Sequence, residues 1–105
     1  MASRKVRITV ARKVDMRGLW GEEKLGTVAD FPPICPLFEV GDQWELEGGE
    51  LPAGFCAGAF DDIYRYVSGL RNGANYPWME REGEVYACCT DPFRPVVFKL
   101  ERVEG

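Results

Sequence analysis

The sequence predicts an α+β fold: a single domain over residues 1–105, with about four mainly antiparallel strands packed against one principal helix at about 58–71. Three observations carry this. Polar and apolar residues alternate through Lys5-Val6-Arg7-Ile8-Thr9-Val10, the period-2 mark of a half-buried strand. Phe60, Ile63, Tyr64, Val67 and Leu70 fall on one stripe at helical spacing. The 105 residues suit one small domain and leave no room for a second. Nothing in the chain repeats, and no tract is of low complexity.

The elements follow in order. After the first strand, Asp15–Trp20 reads as a short helical turn. A long loop then runs from Gly21 to Pro36, where Pro32, Pro33 and Pro36 remove backbone donors. Gly41-Asp42 supplies turn chemistry before a second alternating strand, Gln43–Glu47, which Gly48-Gly49 closes. The helix starts near Ala57 to Ala59. Asp61 and Asp62 are expected in its first turn, where carboxylates complement the positive end of the dipole. Asp61 and Arg65 stand four apart in the favourable order, and Asn72-Gly73 ends the helix. Strands at Val85–Cys88 and Val96–Val103 flank a turn at Asp91-Pro92-Phe93-Arg94, an antiparallel hairpin with a loop of five or six residues.

Composition excludes several chemistries. Hydrophobic residues make up 46% and charged residues 29%, as in a folded chain rather than a disordered one. There is no histidine, which removes Ser-His-Asp catalysis, imidazole metal sites and histidine pH switching together. No run of about 18 apolar residues exists, so no membrane span is expected. No leader segment is read at the N-terminus, so the expected location is cytoplasmic, with reduced thiols. The net charge of -4 hides an asymmetry. Arg4, Lys5, Arg7, Arg12, Lys13 and Arg17 face only Asp15 in the first seventeen residues, and acids dominate the rest. With no nucleic-acid motif alongside, this arm reads as pairing with the acidic body of its own fold or of a neighbouring subunit, not as a nucleic-acid contact.

The cysteines are Cys35, Cys56, Cys88 and Cys89, a spacing unlike a zinc ribbon's two close pairs. Adjacent cysteines on an extended strand point to opposite faces, so only one of Cys88 and Cys89 joins a common site unless the chain bulges there. A three-cysteine site, open or completed by a carboxylate such as Asp91, is the easier geometry. The competing reading is that cysteine is a small apolar residue among those most often buried. Cys56 stands out, because it precedes the helix, where a negative charge such as a thiolate is favoured; Asp61 and Asp62 oppose this. It would serve as a nucleophile, a redox sensor or a soft metal ligand. Asp91 and Arg94 bracket the hairpin loop, and Arg94 offers bidentate recognition of an anion. Alternatively, Asp91 caps the turn and Arg94 packs against it. Aromatics make up 12%, and Trp20, Trp44, Trp78, Tyr76 and Phe93 exceed what one small core accommodates, which points to a ligand pocket or an oligomer interface.

At the C-terminal hairpin, Cys88-Cys89-Thr90-Asp91 followed by Arg94-Pro95-Val96-Val97-Phe98-Lys99-Leu100-Glu101-Arg102 resembles the signature of a family of small prokaryotic proteins of unassigned function. Gly54-Phe55-Cys56 with Asp61-Asp62-Ile63, Cys35-Pro36-Leu37-Phe38 with Val40-Gly41, and Gly73 leading into Tyr76-Pro77-Trp78-Met79 look like further blocks of it. The likeness runs from about Lys5 to Val103. Family members usually carry tryptophans just after the cysteine that Cys56 matches, where this chain has Gly58 and Phe60, and glycine where Pro92 stands. The resemblance implies no reaction. It implies that the Cys35, Cys56 and Cys88-Cys89 blocks belong to one design and meet in space.

Three readings follow. The first is a thiol or metal protein in which Cys35, Cys56 and Cys88 or Cys89 converge, holding zinc, an iron–sulfur cluster or copper(I), or acting on a small-molecule ligand. The second is an interaction module, a homo-oligomer or partner-bound subunit with inert cysteines. The third is a small enzyme acting on an anionic molecule through Cys56, Asp91 and Arg94.

Overall fold

The computed structural model describes residues 4–21 and 32–103. Residues 22–31, the greater part of the predicted long loop, lie outside them. Strand β1 (Lys5–Lys13) buries Val6, Ile8 and Val10, as its alternation requires. One helical turn, α1 (Arg17–Trp20), follows; the Asp15 carboxylate receives the Arg17 N–H and guanidinium at its start. Strand β2 (Gln43–Leu46) is entered through Gly41, whose φ of 97° favours glycine. Helix α2 (Ala57–Arg71) leads to strands β3 (Glu84–Cys88) and β4 (Val96–Val103).

The strands form one antiparallel sheet in the order β2-β1-β4-β3. The predicted α+β architecture is the observed one. Helix α2 covers one face, setting Ala59, Phe60, Ile63, Val67 and Leu70 onto the inward residues of the sheet. Ile8, Phe98, Leu100 and Val85 are completely buried there. Tyr64 departs from the predicted stripe: it stays exposed at the helix flank, edge-on to Phe60, and Ala59 takes the buried position. The opposite sheet face is a polar ladder, in which Arg7 bonds Glu45, Gln43 bonds Thr9, and Lys99 lies between Glu84 and Glu101.

Two local expectations change. Asp61 and Asp62 follow the first turn of α2, which carries no acid, so they do not serve as dipole-complementing charges. Arg65 turns toward Tyr66, its guanidinium 4.9 Å from the ring centre, rather than toward Asp61. The basic arm pairs within the fold: Lys5 with Glu47 at 3.4 Å and Arg7 with Glu45 at 3.1 Å. Such exposed pairs contribute about 0–1 kcal/mol each, so they orient the strands more than they stabilise them. Among the described residues no helix is long and apolar enough to cross a membrane.

Candidate functional site

A cleft of about 700 Å³ opens where three segments meet: the stretch before β2, the start of α2 and the β3–β4 loop. Cys35, Cys56 and Cys89 line it, one from each segment.

Cys35 is placed by a fault in β1. The β1–β4 register shifts between Val10 and Arg12, so Ala11 is an extra residue and the following side chains change face. Lys13 is thereby paired with the buried Val96 and turned inward. Its ammonium donates to the Cys35 carbonyl at 3.2 Å and to the Phe38 carbonyl at 2.6 Å, pinning the turn that holds Cys35. Phe38 anchors the same turn from below, edge-on to Trp44, Phe55 and Phe98.

Cys56 is the N-cap of α2, in extended conformation, with its carbonyl accepting the first helical bond from the Phe60 N–H. Its side chain makes no capping hydrogen bond. The sulfur lies over the first turn, 3.9 Å from where a Cβ on Gly58 would stand. Gly54, at φ 78°, makes the bend that lets Phe55 enter the core and Cys56 face the cleft.

Cys89 continues the inward phase of β3 after Val85 and Ala87. Its N–H donates to the Val96 carbonyl at 3.1 Å and its sulfur accepts the Val96 N–H at 3.2 Å, which closes the hairpin over Thr90–Pro95. Cys88 faces the other way, into a separate groove of about 310 Å³ bordered by Asp62, Arg65, Tyr66 and Tyr86. The strand alternation that allowed only one of the pair into a shared site selects Cys89. Among the described residues, no group of three or more Cys, Asp or Glu side chains is arranged to hold a metal ion. Of the four cysteines expected as ligands, Cys35, Cys56 and Cys89 line the cleft, and Cys88 stands on the far side of its strand.

Asp91 and Arg94 also line the cleft, bonded to each other. The Asp91 carboxylate accepts the Phe93 and Arg94 N–H groups at 2.9 and 3.0 Å and the Arg94 guanidinium at 3.1 Å. Partial burial pushes this carboxyl up, but the two amides and the guanidinium outweigh it and hold it below the usual carboxylate range. The geometry is that of a capped turn. Trp20 braces it from outside, donating its indole N–H to the Pro92 carbonyl at 2.7 Å and lying against Phe93.

Asp62, expected from the sequence as a first-turn charge, has a different role. Its carboxylate accepts both the N–H and the hydroxyl of Thr90, at 2.8 and 3.0 Å, and so latches helix α2 to the hairpin loop. It borders both the cleft and the Cys88 groove. Partial burial of the Cys88 thiol, then the neighbouring Cys89 and Asp62, push its pKa above the ordinary 9.0. Because the thiolate is the reactive form, native Cys88 is expected to reach half-maximal alkylation rate above pH 9.0, and later than in the unfolded chain. By linkage, the matching stability is complete below the unfolded value and lost as pH rises through the folded one. Asp62→Asn keeps an acceptor for Thr90 and removes the charge, so it should lower the native midpoint. A native midpoint at or below the unfolded one would contradict this arrangement.

No family model, curated protein or solved structure matches the chain.

Proposed function

We propose that this chain is a small thiol protein that acts through the cleft lined by Cys35, Cys56 and Cys89, and that it takes there a small molecule with an apolar body. The observation that carries this reading is the meeting of three cysteines from three separate segments on one cleft. Its volume of about 700 Å³ suits a small-molecule site, and Leu37, Phe38, Ala59 and Val96 supply apolar walls. Asp62, Asp91 and Arg94 give one rim polar groups that would orient a ligand. Inert cysteines are usually buried singly in a core, whereas none of the four is fully buried here. The sequence blocks behind the family resemblance are also those that contribute the cysteines.

Site-resolved alkylation of the native, reduced chain tests the reading. An aromatic maleimide should react faster than a small polar one at Cys35, Cys56 and Cys89, with no such preference at Cys88, and the contrast should vanish in urea. Equal rates and equal preferences at all four thiols would refute it. Joint protection of the three by added zinc would instead identify the occupant as a metal ion.

A further inference from the structure

The sheet has two edges, and they differ. Strand β2 is four residues long, with Glu45 on it and Glu47 and Glu50 beyond it, and Trp44 ties the neighbouring segment through the Ala53 carbonyl. Strand β3, Glu84–Cys88, contains no proline, no lysine and no bulge, the usual devices that keep an edge from pairing. Its one charged residue, Glu84, is already engaged by Lys99 and Arg81, at 3.7 and 3.6 Å.

The hydrogen-bond phase of β3 is set at both ends. Arg102 donates its N–H to the Gly83 carbonyl, and Cys89 donates to Val96. Antiparallel pairing alternates, so Val85 and Ala87 bond β4, while the N–H and C=O groups of Glu84, Tyr86 and Cys88 point outward. Among the described residues these groups have no backbone partner. Tyr86 is 50% exposed and Cys88 is exposed beside it.

We propose that a second copy of this chain docks along β3, continuing the sheet across a two-fold axis at Tyr86. The strand is self-complementary in the one antiparallel register that overlaps all five residues. Tyr86 then meets its counterpart, Glu84 meets Cys88, and Val85 meets Ala87, so every outward backbone group gains a partner and no like charges are opposed. The interface is isologous and closes as a dimer. The inference is independent of the cleft, which lies on the other side of Cys88.

Sedimentation equilibrium on the full chain tests it, together with three variants. Tyr86→Lys sets two cations face to face, and Tyr86→Pro removes an N–H that the monomer does not use. Glu84→Cys places a thiol opposite Cys88 of the other copy, at the roughly 5.5 Å Cα spacing of a hydrogen-bonded pair, which suits a disulfide. The expected result is a reversible wild-type dimer. Its dissociation constant should rise by at least about tenfold in Tyr86→Lys, with an unchanged melting curve at concentrations where both chains are monomeric. An intermolecular disulfide in Glu84→Cys should be lost when Cys88→Ser is added. A wild-type chain that stays monomeric at every concentration overturns the proposal. So does a dimer indifferent to Tyr86→Lys, or one that fails to cross-link. If Tyr86→Pro does not fold, the lysine variant and the cross-link still decide.

Discussion

Phe98→Ala is expected to cost about 3–5 kcal/mol of stability, the range for removing a buried aromatic ring. Phe98 is completely buried, and the rings of Phe38 and Phe55 each lie 5.3 Å from its own. Each such aromatic pair adds about 0.5–1.5 kcal/mol beyond burial, so the loss should fall toward the top of the range. Small domains are stable by about 5–15 kcal/mol, which makes this a large fraction of the whole. The functional consequence is local. Phe38 anchors the turn that carries Cys35, and Phe55 immediately precedes Cys56. Removing the ring beneath both should speed alkylation of these two thiols below the urea transition, before global unfolding. A variant that is destabilised while both thiols keep their wild-type rates would show that the aromatic cluster supports the core without positioning the site.

The elements visible in the sequence are those whose side chains report on their own face. Strand β4 carries apolar residues at every second position from Val96 to Leu100, and it runs over the expected Val96–Val103. The helix begins within one residue of its expected start because Gly54 and the apolar stripe bracket it. What escaped the sequence depends on contacts between distant segments. The extra residue in β1 has no local signature, since Ala11-Arg12-Lys13 reads equally well in either phase; only the ladder with β4 decides which basic side chain turns inward. Asp62 looked like a first-turn charge because its partner, Thr90, lies on another element. Of the candidate site, the sequence could say that one of Cys88 and Cys89 would face the others. The pairing of Ala87 with Phe98 decides which, by making the odd-numbered residues of β3 inward. The surplus aromatics divide in the same way. Trp44 joins the core cluster, Trp20 and Phe93 brace the hairpin tip, and Tyr76 stacks beside the exposed Trp78.

Lys13→Met is expected to cost about 2–3 kcal/mol, because it leaves the Cys35 and Phe38 carbonyls without a charged donor while keeping the apolar stem. Both hydrogen bonds are partly buried, so water replaces the ammonium only in part. The effect on chemistry should be selective. The turn holding Cys35 loses its tether to β1, so Cys35 should alkylate faster, while Cys56 and Cys89 keep their own anchors in the helix cap and the Val96 N–H. Arg12→Met supplies the control. Arg12 is exposed and, among the described residues, donates only to the neighbouring Ala11 carbonyl, so its replacement should stay within about 0.5 kcal/mol and leave all four thiols unchanged. Deleting Ala11 makes the complementary test, since it removes the bulge without touching either basic residue. Val10, Arg12 and Lys13 then run on as a regular ladder against Phe98, Val97 and Val96, so Lys13 stays on the inward face. The Cys35 rate should therefore stay near that of the wild type, in contrast to Lys13→Met. If Cys35 does not respond to Lys13→Met, Phe38 alone holds the turn, and the lysine plays no part in building the cleft.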